Sequence, residues 1–172
     1  MKSARFSDDR RYRYRLDRRW DNRRPTLCFI MMNPSTADEV DDDPTIRRCI
    51  NFARDMSFGG ISVVNLFALR ATSPLDVFHH VNPVGCDNDA EIKGAAHQAG
   101  HVVAAWGIHG SHRERDSEIV RLLGIPLWCL GTTMRGFPKH PLYVPARQVL
   151  VPFPAIGSRG TNRLTTIGRP VR

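Results

Sequence analysis

The chain has 172 residues, of which 41% are hydrophobic and 24% are charged, a composition typical of one soluble globular domain. No apolar run approaches the roughly 18 residues that a membrane-spanning helix needs. The N-terminal sequence also lacks the apolar core of a signal peptide. We therefore expect a cytoplasmic protein that does not enter a membrane.

The net charge of +8 is concentrated at the two ends of the chain. Residues 1–24 carry ten Lys or Arg and four acids, and residues 151–172 carry four Arg and no acid. Basic ends around a nearly neutral body are typical of proteins that contact a polyanion, which makes DNA the expected partner; solubility charge is the alternative. We predict one domain over residues 1–150 and a basic, flexible tail over 151–172.

The cysteines and histidines do not predict a metal site. The four cysteines follow no zinc or iron–sulfur spacing, so reduced core thiols are expected. The histidine pairs His97–His101 and His109–His112 have no acid or cysteine at supporting spacing. No metal and no cofactor are therefore predicted.

The N-terminal third predicts a hairpin and a helix. Residues 10–16 place Arg11, Arg13 and Arg15 on one face and Tyr or Leu on the other, the pattern of a half-buried strand. A turn over 21–25 leads into the apolar run 27–32, which predicts a buried strand and a hairpin with the first. Asp43 and Pro44 form a helix start, with Asp43 as N-cap, and Gly59-Gly60 ends that helix.

The remainder alternates between strands and helices. Strands are predicted over 61–67, 101–106 and 126–130, and helices over 87–97 and 113–123, with a long loop up to residue 85. This order predicts an α/β fold, a three-layer α/β/α sandwich with a mostly parallel four-stranded sheet plus an N-terminal hairpin. Functional groups are expected at the carboxyl ends of the strands.

Three polar side chains follow predicted strands or the loops beyond them. Asn33 comes after the strand 27–32, Asn65 ends the next apolar run, and His140 lies beyond the last strand. The carboxyl ends of parallel strands meet at one edge of a sheet, so we expect these side chains to lie close together. An amide can both donate to and accept from a nucleobase edge, and a histidine can donate to an oxygen that gains negative charge.

The ordered motifs resemble those of the uracil-DNA glycosylase superfamily. They are Met32-Asn33-Pro34-Ser35, Val63-Val64-Asn65, Ala105-Trp106-Gly107 and His140-Pro141-Leu142. The resemblance implies that Asn33 positions the hydrolytic water, that Asn65 reads the base and that His140 stabilises the departing base. More closely, the strings MNPSTAD, DDPTIRRC, NLFALRAT, AWG and HPLY resemble an uncharacterised family of small bacterial and phage proteins.

Two departures from the superfamily pattern refine the expected substrate. The loop after Asn33 continues with Ser35-Thr36-Ala37-Asp38 in place of the residues that shape a tight uracil pocket, so a larger, modified base is expected. Leu142-Tyr143 stands where the superfamily has Ser-Pro. Either residue is a candidate wedge that fills the gap left by a flipped nucleotide. Pro34, Ser35 and Arg70 complete the candidate substrate contacts.

Several arginines are candidates for contact with the DNA backbone. Arg47 and Arg48 lie in the first turn of the helix after Asp43, and Arg11, Arg13 and Arg15 share one strand face. Each has a plain alternative. Arg47 can pair with Asp43 at i,i+4, and the three strand arginines can protect an exposed sheet edge.

The leading hypothesis is a metal-independent DNA glycosylase-like hydrolase that flips a modified base and cleaves its N-glycosidic bond. A non-catalytic module that binds nucleic acid or a base is one alternative. A Mg²⁺-dependent nucleotide transferase or hydrolase is another, which the acidic cluster over residues 38–43 would serve. The oligomeric state is not predicted.

Overall fold

The computed structural model of the protein describes residues 1–154, which form a seven-stranded mixed sheet and four α-helices. The strands are β1 (Lys2–Phe6), β2 (Arg13–Arg19), β3 (Thr26–Met31), β4 (Gly60–Asn65), β5 (His101–Ala104), β6 (Trp128–Cys129) and β7 (Val151–Pro152). The helices are α1 (Pro44–Asp55), α2 (Pro74–His79), α3 (Asn88–Gln98) and α4 (Arg115–Leu123), and Ile108–Glu114 and Pro141–Tyr143 form 3₁₀ segments. Within residues 1–154, no helix has the length and apolarity required to cross a bilayer.

The strand order across the sheet is β1-β2-β4-β3-β5-β6-β7. β3 is parallel to both β4 and β5, β5 is parallel to β6, and the remaining pairs are antiparallel. The predicted α/β class is confirmed. The predicted mostly parallel four-stranded sheet is not, because the sheet has seven strands with both parallel and antiparallel pairs. The predicted hairpin is wrong in its partner, because β2 pairs with β1 and β4 while both sides of β3 are taken by β4 and β5.

Two apolar clusters lie on opposite faces of the sheet, because successive side chains of a strand alternate between its faces. On β3, Leu27 and Phe29 pack with the buried residues of α1. Cys28 and Ile30 pack instead with buried residues of α3 and α4. Helices therefore cover both faces, and the strand ends are left as the place where loops gather.

Helix α1 begins as predicted and ends earlier. The Asp43 carboxylate accepts a hydrogen bond from the Ile46 amide at 2.8 Å, and Pro44 occupies the first turn. The helix ends at Asp55, before the predicted Gly59, and Ser57 takes a positive φ of 64°. Gly59 is required for a different reason: a Cβ atom at this position would stand 2.0 Å from the Asp21 carbonyl oxygen, so a larger residue would clash with that backbone.

Other local predictions differ from the structure at particular residues. The loop predicted before residue 85 contains α2, which begins where the Ser73 hydroxyl accepts from the Leu75 amide. Asp87 makes no side-chain cap for α3. Helix α4 ends at Leu123, where the prediction placed its end, because Gly124 takes the left-handed conformation. Three of the cysteines are buried free thiols, and Cys86 is an exposed one.

The sheet continues past residue 150. Val151–Pro152 pairs with β6, and the buried Phe153 ring contacts Trp106 edge-to-face at 5.6 Å between centroids. The first residues of the predicted tail therefore belong to the folded domain. The remainder of the predicted tail, residues 155–172, lies outside the described residues.

Candidate functional site

A cavity of about 700 Å³ lies at the carboxyl ends of β3 and β5. Its wall includes Met31 and Asn33 from the end of β3, Trp106 and Gly107 from the end of β5, and residues at the start of α1. The chain crosses from β3 to β4 on one side and later to β5 on the other, which is where open α/β sheets place their ligands. The volume suits a small organic ligand.

Asn33 occupies the wall where β3 ends. Its Nδ2 donates to the Ala71 carbonyl at 2.8 Å and to the Pro34 carbonyl at 3.1 Å. Both N–H bonds of the amide are thus used to tie the loop after β3 to the segment after β4. The Oδ1 atom is left as the group with which Asn33 can accept a hydrogen bond from a ligand or a water.

His140 lies on the same wall, at the start of the Pro141–Tyr143 segment. Its Nδ1 accepts a hydrogen bond from the Leu142 amide at 3.3 Å, so the proton of the neutral ring is on Nε2. Burial lowers the pKa of His140, an effect that the Asp43 carboxylate opposes. At neutral pH the side chain is therefore an uncharged donor through Nε2.

Arg48 holds the loop that carries His140. Its Nη2 donates to the Val144 carbonyl at 2.6 Å and its Nε donates to the Pro141 carbonyl at 3.4 Å. These bonds fasten the segment after His140 to α1. Arg47 is exposed and donates to the backbone oxygen of Asp42, and the ion pair with Asp43 considered above is not formed.

Asn65 lies outside the cavity wall. The Leu66 and Phe67 amides donate to the Met31 and Met32 carbonyls, so pairing of the β3 and β4 segments continues beyond Asn65 and keeps it inside the sheet. Its side chain is fully buried, and neither amide atom has a partner among the described residues. Arg70 is also off the wall, with its guanidinium 5.2 Å from the centre of the Phe6 ring.

Arg13 is on the cavity wall, contrary to its predicted surface position. Arg5 pairs with Arg15 and Phe6 with Arg13, so Tyr14 is an extra residue on β2, a β-bulge that reverses the alternation of faces. Arg13 is therefore 1% exposed and donates to the Ala37 carbonyl at 2.7 Å. Edge protection is also wrong for this strand, since β2 lies between β1 and β4.

The other two arginines of this set have local partners. Arg15 pairs with Asp17 at 2.9 Å and donates to Gln98 of α3, on the opposite face from Arg13. Arg11 is exposed and contacts the His80 ring nitrogen at 3.1 Å. Of the arginines that were predicted to contact the DNA backbone, Arg11 and Arg47 are therefore the exposed ones.

Some of the loop residues predicted to contact substrate line the cavity, and others lie beside it. Ser35 and Tyr143 line the cavity, and the Tyr143 ring is 80% exposed and lies 5.6 Å from the His140 ring. Leu142 is 43% exposed beside them. Pro34 is buried and does not line the cavity; its carbonyl accepts from Asn33 and from the Ala71 amide.

The acidic cluster of residues 38–43 is occupied by structural contacts. Asp38 accepts from the Val40 and Asp41 amides, and Asp42 pairs with Arg18 at 2.7 Å. Glu39 pairs with Arg10 at 2.9 Å. Among residues 1–154, no group of three or more His, Cys, Asp or Glu side chains is placed to hold a metal ion.

Sequence patterns did not assign Asp43, Trp106 or Lys139 to the site, and they assigned Arg13 to the DNA backbone and not to the cavity wall. Trp106 lies two residues after the end of β5, as Asn33 lies two residues after the end of β3, and that position was the available signal. A Cβ at Gly110 would stand 2.0 Å from Trp106 Cδ1, so only glycine fits against this indole. Asp43 is both the N-cap of α1 and a wall residue, and the local sequence pattern indicated only the cap.

The chain was compared with protein families, curated proteins and solved structures. The model of a family described as "Protein of unknown function (DUF1643)" matches residues 13–142, about three quarters of the chain. No curated protein and no solved structure matched it. The matched segment contains β2 to α4 and extends to the His140 loop, so it includes every wall residue of the cavity except Tyr143. The chain therefore belongs to the uncharacterised DUF1643 family.

Proposed function

We propose that the protein is an N-glycosyl hydrolase that acts on a modified base flipped out of DNA. The observation that carries this proposal is that Asn33 and a neutral His140, which are far apart in the sequence, line one cavity of about 700 Å³, a volume typical of small-molecule sites. The motif series that resembles the uracil-DNA glycosylase superfamily supports the same roles for these two residues. The parallel strands β4, β3, β5 and β6 are compatible with such a fold.

The reaction breaks the bond between the sugar C1′ and the base nitrogen, and the bonding electron pair leaves with the base. The His140 Nε2–H donates a hydrogen bond to the base oxygen on which negative charge develops, which stabilises the leaving group. A water held by Asn33 Oδ1 adds to the electron-poor C1′. One proton of that water passes to solvent and the other stays on the new C1′ hydroxyl, while the base anion takes up a proton from solvent.

This proposal assigns the water-orienting role to an acceptor and not to a base. Both Asn33 N–H groups donate to backbone carbonyls, so the water can bind only to the side-chain oxygen of Asn33. An amide cannot take a proton, but an oxocarbenium-like sugar needs a placed water more than a deprotonated one. For recognition of the base, Ser35 is the polar side chain next to Asn33 that already lines the cavity. Asn65 would have to leave its buried position to contact the base.

DNA is the proposed partner because exposed apolar and basic side chains stand together at the mouth. Tyr143 and Leu142 are exposed beside His140 and can enter the duplex in place of the flipped nucleotide. Lys139 is exposed on the rim, and Arg47 lies in the first turn of α1. These cations can contact the phosphates on either side.

The test is an abasic-site assay with EDTA present, on DNAs that range from unmodified to uracil-containing to heavily modified phage genomes. Alkaline cleavage reveals each excised base. The His140→Ala variant should lose about a hundredfold or more of the activity, the typical loss when one donor to a developing anion is removed. His97→Ala is the matched control, since His97 is an exposed residue of α3 whose Nδ1 contacts the Lys93 carbonyl, away from the cavity.

Each result separates the hypotheses. Equal activity of the His140 and His97 variants would remove the leaving-group role, and full activity of a folded Asn33→Ala variant would remove the water-positioning role. Salt-sensitive DNA binding with no abasic sites on any substrate would identify a non-catalytic module. Activity only on free nucleotides, lost in EDTA, would identify the Mg²⁺-dependent alternative.

A further inference from the structure

The wall of the cavity contains a buried arginine with no acidic partner in the described part of the chain. Arg13 is 1% exposed, its Nη1 donates to the Ala37 carbonyl, and its Nε has no hydrogen-bond partner among the described residues. No carboxylate within residues 1–154 forms a salt bridge with it. Burial lowers the pKa of Arg13 to about 10, an effect that the Asp43 carboxylate opposes, so the side chain still carries its charge at neutral pH.

The other buried arginines of the described chain are paired. Arg18 is 3% exposed and contacts Asp42 at 2.7 Å. Arg115 is also 3% exposed and pairs with Asp89 and with Glu118. Burying a charge without a partner is costly, and both of these arginines have a carboxylate partner. The exception, Arg13, is the one that lines the cavity.

The nearest acidic wall residue does not resolve this imbalance. Asp43 lines the same cavity, but its Oδ1 accepts from the Ile46 amide at the start of α1, at more than salt-bridge distance from Arg13. Asp38 also favours the charged form of Arg13, but less than Asp43 does, and its carboxylate accepts from two backbone amides. Arg70 and Arg18 add positive potential at the same place.

We propose that the cavity contains an anion subsite centred on Arg13, which binds an acidic group of the ligand. A guanidinium is suited to this because its N–H groups can donate in parallel to two oxygens of a carboxylate or a phosphate. The burial of Arg13 places the subsite at the inner end of the cavity, while the exposed Tyr143 marks its mouth. The Ser35 and Thr45 hydroxyls on the wall can donate to further oxygens of the same group.

The acidic group can come from two sources. It is either a substituent on the base, at the edge away from the sugar, or the phosphate of a free nucleotide. That the ligand is a nucleobase derivative rests on the proposed function; that it carries negative charge rests on Arg13 alone. A nucleotide phosphate within DNA would remain outside the mouth, so the two sources have different consequences for the proposed reaction.

The first experiment follows the Arg13 Nε–H signal by NMR while orthophosphate, and separately acetate, is added to the full chain at constant ionic strength. The signal is assigned by its loss in Arg13→Lys. We expect it to shift in a saturable way, whereas the signal of the exposed Arg121 on α4 follows only a weak linear trend. Absence of saturation with both anions overturns the proposal.

The second experiment identifies the source by calorimetric titration of two matched pairs. Uracil-5-carboxylate is compared with uracil-5-carboxamide, and the 5′-monophosphate of deoxyuridine with deoxyuridine itself. A preference of about tenfold or more for the charged member, lost in Arg13→Gln and kept in Arg121→Gln, supports the subsite. Preference within the carboxylate pair places the charge on the base. Preference only within the phosphate pair keeps the subsite but contradicts base excision from DNA, and no preference in either pair overturns the subsite.

Discussion

Replacing Phe153 by alanine tests whether the last described residues are part of the folded core. The Phe153 ring is 8% exposed, contacts Trp106 edge-to-face, and is anchored by its own amide, which donates to the Leu127 carbonyl at 2.8 Å. Deleting a buried phenylalanine side chain costs about 3–5 kcal/mol. β7 is short and can relax toward the gap, so we expect the lower end, about 3 kcal/mol.

The free energy of unfolding is measured by urea titration, with circular dichroism and tryptophan fluorescence as separate probes. A loss of about 3 kcal/mol raises the fraction unfolded by roughly two orders of magnitude and lowers the melting temperature by roughly 6–12 °C for a chain of this size. Val149→Ala is the control, because Val149 is 64% exposed in the same segment and should change stability by less than about 0.5 kcal/mol.

The contrary outcome is a Phe153→Ala variant whose free energy of unfolding lies within about 0.5 kcal/mol of the wild-type value. That result would mean that the segment after residue 150 does not stabilise the domain, and that the Trp106 ring in the cavity wall is held without it. An unchanged urea dependence together with a lower midpoint would confirm that only stability, and not the extent of the folded core, has changed.

Further predictions concern the loops around the cavity. Asp43→Ala should cost about 1 kcal/mol by urea unfolding, because it removes the acceptor for the Ile46 amide, while Asp43→Asn should retain most of the stability. Arg48→Met should cost about 1 kcal/mol and speed proteolysis of the segment that follows His140, because the Val144 carbonyl loses its donor; unchanged cleavage rates would contradict this. Burial puts the pKa of His140 below its value in the unfolded chain, which is near 6.5, so the native state binds fewer protons at this group. The contribution of His140 to the free energy of unfolding is therefore fully present above about pH 6.5 and is lost as the pH falls further. Urea unfolding of His140→Gln at pH 7.5 and 5.5 should show a smaller fall than the wild type.

Local sequence patterns were sufficient where a few neighbouring residues decide the structure. Asp43 and Pro44 defined the start of α1, because an N-cap carboxylate and a proline in the first turn act within one turn of helix. The apolar run 27–32 defined β3, because a strand that is paired on both sides and buried on both faces is apolar along its length. The helix predicted to end at residue 123 does so, because Gly124 takes a left-handed backbone conformation that glycine adopts without strain.

The sequence also predicted that Asn33 and His140 would meet, and the cavity contains both. This worked because the carboxyl ends of parallel strands must lie at one edge, whatever the details of the loops. The same rule did not place Asn65, because the rule does not say how far backbone pairing continues beyond a strand. The bonds from Leu66 and Phe67 to β3 keep Asn65 within the sheet.

Tertiary structure alone decided the position of Arg13. The alternation of residues 10–16 placed it on a surface face, but the register between β1 and β2 makes Tyr14 an extra residue and turns Arg13 toward the α1 side. Registers and bulges depend on pairing between segments, and the sequence of one segment does not specify them. The sequence by itself thus determined the α/β class, the family and four of the cavity residues, Asn33, Ser35, His140 and Tyr143. The buried cation of the cavity exists only because two strands pair with that particular offset.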